Sequence, residues 1–121
     1  MKTALVVLGG LGVLSAIAAS AGDAERGRDA FEQTCTGCHA LDHAKVGPRL
    51  RHVYGQPAGK DSQFNYSDAM KSAAITWDET TLDRWLADTE SVIPGNDMSF
   101  RLDDASKRAD IMAYLKQLSK K

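Results

Sequence analysis

Residues 35–39 read Cys35-Thr36-Gly37-Cys38-His39, and this stretch decides how the rest of the chain is interpreted. Cys-x-x-Cys-His is the attachment signature of haem c. The spacing has a chemical reason. Two thiols add to the two vinyl groups of the porphyrin as thioethers, and the next residue places an imidazole beside the iron. We therefore predict one haem bound covalently through Cys35 and Cys38, with His39 as an iron ligand.

Other uses of a closely spaced cysteine pair fit the surrounding sequence less well. A thioredoxin-like redox pair belongs to a βαβ framework and follows a strand, whereas a helical pattern precedes Cys35. A structural zinc site needs about four Cys or His ligands. Beyond the motif only His43 and His52 remain, and there is no second cysteine pair. A plain disulfide would leave His39 unexplained.

The first 21 residues have the pattern of a secretory signal. Lys2 is followed by a run without charge, from Thr3 to Ala21, which ends in Ala19-Ser20-Ala21. Such small residues precede signal-peptidase cleavage sites. We predict a signal peptide at 1–21 and a mature domain at 22–121, exported to the periplasm. An uncleaved membrane anchor is the alternative, because the run is almost long enough to cross a bilayer.

The mature chain is predicted to be all-α, with about four helices and long loops around the haem. Asp23 can cap a helix from Ala24 to Thr34. Gly27 lies inside this helix and indicates close approach by another element. The region 40–63 is predicted to be loop because glycine and proline interrupt it repeatedly. The sequence shows no alternating strand pattern.

Three further helices are predicted in the second half of the chain. Ser67 opens a short helix from Asp68 to Ala73. A capping box at 76–79, with Thr76 as the cap and Glu79 reaching back, starts the next. That helix carries Leu82, Trp85, Leu86 and Thr89. Asp103 or Asp104 caps the last helix, whose apolar stripe is Ala105, Met112, Leu115 and Leu118, with Ile111 and Tyr114 beside it.

A methionine is the expected second iron ligand, because a soft thioether favours ferrous iron. The mature chain has three: Met70, Met98 and Met112. Met112 lies on the stripe of the last helix and is interpreted as core. Met98 follows Pro94-Gly95 in a loop that is free to bring the sulfur to iron. Met98 is therefore the predicted ligand, and Met70 stays the alternative.

The mature chain resembles the class I cytochromes c, in particular the mitochondrial and bacterial c2-like branch. The resemblance rests on Gly27 with Phe31, the motif at 35–39, Val46-Gly47-Pro48, Tyr66-Ser67-Asp68-Ala69, Ile75-Thr76-Trp77, Ile93-Pro94-Gly95-x-x-Met98-x-Phe100 and Ile111-x-Ala113-Tyr114-Leu115. It implies that the first and last helices cross near Gly27, Phe31, Tyr114 and Leu115. It also implies that Met98 occupies the ligand position and that the Pro48 carbonyl accepts a hydrogen bond from His39. Tyr66 and Trp77 would donate to a haem propionate.

Several residues depart from the pattern of that family. Gln56 stands where an arginine often follows a glycine, so that a propionate is expected to lose a charged partner. Trp85 replaces a tyrosine that often donates to the ligand sulfur. Asn96-Asp97 precedes Met98 where a lysine is common.

These features predict an electron carrier and not an enzyme, because two protein ligands leave the iron no open site. Its partners would be a donor dehydrogenase or quinol-oxidising complex and an acceptor oxidase or reductase, and the carrier would be a monomer. Removing Lys2 with the signal changes the net charge from −1 to −2, which argues against nucleic-acid binding. Two alternatives stay open: an enzyme with a labile Met98 acting on peroxide or another small ligand, and a dedicated subunit of one dehydrogenase.

Overall fold

The computed structural model describes residues 2–12 and 21–121. Within these ranges it contains helices and no β-strand, apart from an isolated bridge between Pro57 and Thr76. The helices are α1 (Ala24–Thr34), α2 (Asp68–Lys71), α3 (Glu79–Ala87), α4 (Thr89–Val92) and α5 (Ala105–Ser119). The predicted all-α class is confirmed, and α2 and α4 are single turns.

Helix α1 has the predicted bounds and crosses α5 closely. The Asp23 side chain caps it by accepting a hydrogen bond from the Arg26 amide. A Cβ atom on Gly27 would lie 1.8 Å from the Asp110 carbonyl oxygen, so only glycine fits the crossing. Phe31 and Tyr114 meet edge to face, with ring centroids 5.4 Å apart. The crossing implied by the family resemblance is therefore present.

Close packing against α5 occurs at Gly22. A Cβ atom there would lie 1.9 Å from the Ala109 carbonyl oxygen. The Asp110 carboxylate accepts a hydrogen bond from the Asp23 amide at 2.8 Å and one from Arg26 Nε at 3.2 Å. These two donors, the Asp23 amide first, hold the pKa of Asp110 below its usual value. The start of α1 is thus fastened to α5, the last helix.

The predicted signal segment is only partly described. Ala19 and Ser20 of the predicted cleavage site lie outside the described residues. In the range 2–12, the side chains of Leu5, Val6, Val7, Leu8 and Leu11 are exposed. None of the helices in the two described ranges has the length and apolar character needed to cross a bilayer.

Helix α2 ends at Lys71, two residues before the predicted end at Ala73. Its start is as expected, because Ser67 Oγ accepts a hydrogen bond from the Met70 amide at 3.2 Å. The Ala73 amide, however, bonds to the Met70 carbonyl at 3.2 Å. This shorter i→i+3 turn replaces the α-helical hydrogen bond and ends the helix.

The capping box of α3 begins two residues later than predicted, at Asp78 and not at Thr76. The Asp78 carboxylate accepts from the Thr81 amide, and Thr81 Oγ1 accepts from the Asp78 amide, both at 2.9 Å. Thr76 does not cap the helix, because the Trp77 amide beside it bonds to the Gln56 carbonyl at 2.9 Å and the helix begins only at Glu79. The helix also stops at Ala87, since Asp88 is extended, so that Thr89 begins α4. The prediction that placed Thr89 on the same helix was wrong.

Helix α5 is capped by Asp104, whose carboxylate accepts from the Lys107 amide at 3.1 Å. Met112, Leu115 and Leu118 are buried as predicted. Ala105 is exposed instead, because the first turn of α5 extends beyond the core. Ile111 lies at the centre of the buried face with 1% of its surface exposed.

Candidate haem site

A cavity of about 860 Å³ opens between α1, α3, α5 and the long loops. All the predicted cofactor-binding residues line it, together with apolar side chains from three helices. They are Cys35, Cys38, His39, Pro48, Tyr66, Trp77 and Met98. Residues that are up to 63 positions apart in sequence thus line the same cavity. Its size and largely apolar wall fit a flat, apolar prosthetic group.

His39 is held in one orientation by backbone groups. Its Nδ1 atom lies 2.7 Å from the Pro48 carbonyl oxygen, which fixes the ring and leaves Nε2 for a ligand bond. Gly47 packs directly against the ring, because a Cβ atom there would lie 2.3 Å from His39 Cε1. Burial is the main cause that lowers the pKa of His39. The imidazole is therefore neutral at neutral pH, which is the form that binds a metal.

The two cysteines are not joined to each other. Cys35 is half-buried at the end of α1, and Cys38 is exposed. Burial raises the pKa of the Cys35 thiol to about 11. A thioredoxin-like nucleophile needs a lowered thiol pKa, so this environment does not suit that chemistry. Within residues 2–12 and 21–121, no group of three or more His, Cys, Asp or Glu side chains could hold a metal ion.

Two of the three methionines in residues 22–121 line the cavity. Met70 and Met98 are half-buried and both line it, whereas Met112 is core, with 6% of its surface exposed. Burial and position in the cavity do not separate Met70 from Met98. The two differ in their setting: Met98 lies in a loop, where its amide donates to Asn96 Oδ1 at 2.7 Å and its carbonyl accepts from the Thr89 hydroxyl, whereas Met70 lies in α2, where its amide donates to Ser67 Oγ at 3.2 Å.

Aromatic side chains form much of the remaining wall. Trp77 and Trp85 are both buried and pack with ring centroids 5.2 Å apart. Tyr66 packs edge to face on Phe64, with a centroid distance of 4.9 Å. Burial raises the pKa of Tyr66, so its hydroxyl is a neutral hydrogen-bond donor at neutral pH. Tyr66, Trp77 and Trp85 all line the cavity, and each carries a group that can donate a hydrogen bond.

The sequence analysis missed the cations that line this cavity. Gln56 lies in the wall, as its position suggested, but Arg49 and Lys60 also line it. Arg49 Nε donates to Asp61 Oδ2 at 2.8 Å. A carboxylate-bearing ligand would therefore have Lys60 and the Arg49–Asp61 ion pair nearby, without an arginine at position 56. The pairing of Arg49 with Asp61 in the cavity wall could not be predicted from sequence, because the two residues meet only through the folding of a long loop.

Comparison with known proteins shows which family the chain belongs to. Residues 24–119 match the family model described as cytochrome c. The chain belongs to the cytochrome c family. It is 42% identical over 115 residues to cytochrome c2 from Rhodomicrobium vannielii, covering 92% of this chain and 91% of that protein. It is 45% identical to cytochrome c2 iso-2 from Magnetospirillum fulvum over 87 residues, covering 69% of this chain and 91% of that protein.

A solved structure of the family supports the same assignment. Cytochrome cH from Methylobacterium extorquens superposes with a TM-score of 0.76 at 42% identity, covering 79% of this chain and 99% of that one. As a member of the cytochrome c family, this chain binds haem c covalently, in agreement with the spacing of Cys35 and Cys38. Its function is single-haem electron transfer, in company with redox partners.

Proposed function

We propose that the chain is an exported electron carrier in which His39 and Met98 are the two axial ligands of the haem iron and Cys35 and Cys38 form the thioethers. The observation that carries this proposal is the orientation of His39. The Pro48 carbonyl binds Nδ1 of a buried, neutral imidazole in the wall of the cavity that Met98 also lines. The ring can then bind iron only through Nε2.

When bound, the haem supplies an iron that cycles between the ferric and ferrous states. The chain provides one nitrogen and one soft sulfur ligand, which together favour the ferrous state. Tyr66 and Trp77 offer hydrogen-bond donors to the propionates, with the positive charge of Arg49 and Lys60 close by. Because His39 and Met98 would both bind the iron and leave it no open site, we assign electron transfer without catalysis.

The location and partners belong to the same proposal. We assign residues 1–21 to a signal peptide, with cleavage before Gly22, and the carrier to the periplasm. The tight packing of Gly22 on Ala109 supports a domain that starts there. If the segment is retained, the domain is anchored to the membrane. The carrier would act as a monomer between a dehydrogenase or quinol-oxidising complex and a terminal oxidase or reductase.

The two methionines that line the cavity provide the test of the ligand assignment. We expect Met98→Ala to abolish the sulfur-to-iron absorption band of the ferric protein. Its reduction potential should fall by roughly 0.1 V or more, since axial ligation tunes haem potentials over about 0.8 V. Met70→Ala is the matched control and should keep both properties. Loss of the band in Met70→Ala and its survival in Met98→Ala would reverse the assignment.

A further inference from the structure

Thr89 is a buried polar residue that no ligand or core role explains. Only 1% of its surface is exposed, and among the described residues the only other buried polar side chain is His39. A threonine hydroxyl gains nothing from such burial unless its hydrogen bonds are satisfied. Its partners therefore indicate why it is there.

The Thr89 hydroxyl joins α4 to the segment that carries Met98. It donates to the Met98 carbonyl and accepts from the Phe100 amide at 3.2 Å. The Thr89 amide also donates to the Phe100 carbonyl, at 3.2 Å. One residue thus binds the backbone on the C-terminal side of the Met98 side chain.

Asn96 binds the other side of Met98. Its Oδ1 atom accepts from the Met98 amide at 2.7 Å, and its Nδ2 atom donates to the Ile93 carbonyl at 2.8 Å. Glu90, which follows Thr89, accepts from the Gly95 amide at 3.0 Å. The Met98 backbone is therefore held on both sides, and each set of bonds leads back to α4.

We propose that Thr89 and Asn96 are positioning residues that latch residues 93–100, the Met98 segment, and set how often the Met98 sulfur leaves the iron. This inference rests on the proposed ligation by Met98. For the sulfur to move away, the segment must shift and the buried hydroxyl of Thr89 must lose its partners. A buried group left unpaired is costly, so the latch opposes that movement locally, without unfolding the domain.

The test measures the rate at which cyanide replaces Met98 in the ferric holoprotein. Thr89→Val keeps the shape of the side chain and removes the hydroxyl. We expect it to speed cyanide binding by roughly tenfold, because each 1.4 kcal/mol is about a factor of ten. Asn96→Ala should give a several-fold increase. Thr89→Ser restores the hydroxyl and should return the rate close to wild type.

Thr80→Val is the matched control, since Thr80 is exposed on α3. Urea unfolding, followed by circular dichroism, is measured for every variant. A local latch requires the cyanide rate of each protein to change little at urea concentrations below its unfolding transition, because a local opening exposes little surface. A cyanide rate that rises with urea as steeply as the global unfolding constant, or a rate in both Thr89→Val and Asn96→Ala that matches Thr80→Val, would overturn the proposal. If Thr89→Val yields no holoprotein, the cyanide rate of Asn96→Ala, compared with that of Thr80→Val, tests the proposal.

The same samples separate this inference from the ligand assignment. A sulfur-to-iron band in the wild-type ferric protein that disappears in Met98→Ala supports the assignment. With that band present, the cyanide rates judge the latch alone. If the wild-type protein lacks the band, the proposed ligation fails, and the latch fails with it.

Discussion

The two segments that carry the proposed ligands are held in different ways. In the segment 35–48, which we name the attachment segment, backbone groups fix His39: the Pro48 carbonyl binds Nδ1, and Gly47 packs against the ring. In the segment 93–100, the Met98 segment, side chains hold the backbone of the ligand. Thr89 and Asn96 bind its carbonyl and its amide.

This difference predicts that the two iron ligands differ in how easily they are displaced. The attachment segment is short and will be cross-linked to the haem twice, so its imidazole has little freedom. The Met98 segment depends on a few hydrogen bonds, each with a net contribution of roughly 1 kcal/mol. We therefore expect the sulfur ligand to be the one that exchanges, while the imidazole stays in place.

The largest effect is expected at the cysteines. Cys35→Ser or Cys38→Ser in the exported protein should sharply reduce mature covalent holoprotein, because one of the two thioethers cannot form. Met98→Ala should keep its covalent haem. Haem staining of denaturing gels measures the difference, with Thr36→Ala as a control that retains both thiols. Undiminished staining in both serine variants would contradict the attachment chemistry.

A smaller effect is expected at Gly47. Gly47→Ala places a methyl group against the His39 ring and should destabilise the holoprotein by roughly 1–3 kcal/mol, the usual cost of overpacking. Gly37→Ala is the matched control in the same segment, because no atom lies within 4 Å of its added Cβ. Denaturant unfolding compares the two variants. Equal stability would show that the imidazole is less tightly confined than its contacts indicate.

The smallest change is expected at high pH, where a neutral lysine can displace a methionine sulfur. There is no lysine between Lys71 and Lys107, and the reference lysine pKa is about 10.4. Lys60 lines the cavity, but its Nζ atom is bonded to the Lys71 carbonyl at 3.0 Å. We expect no nitrogen-ligated low-spin form below about pH 10.

A pH titration of the ferric protein, followed by the sulfur-to-iron band and magnetic spectra, measures this. Lys60→Ala and Lys71→Ala should titrate like the wild type. An early transition to nitrogen ligation would break the prediction, and the variant that abolishes it would identify the lysine. Such a result would make the Met98 segment more mobile than its hydrogen bonds suggest.

The attachment segment could be predicted from sequence because its chemistry lies in five consecutive residues. The bounds of α1 followed from Asp23, and the close crossing followed from Gly27. The supports of the Met98 segment could not be found in this way. Thr89 reads as a helix position four residues after Trp85, and only the extended backbone of Asp88 separates it from α3. Likewise, Asp78 replaces Thr76 as a cap because the Trp77 amide bonds to the distant Gln56 carbonyl, which helical spacing cannot reveal.

The fastening of α1 to α5 also implies an order of maturation. The bond between the Asp23 amide and the Asp110 carboxylate spans 87 positions in sequence, so it cannot form until almost the whole chain is available. Until then α1 has no partner for its buried face, and Cys35 at its end stays out of the core that raises the pKa of its thiol. The last helix made is therefore the one that closes the fold, and the Cys35 thiol becomes buried only when that helix has packed.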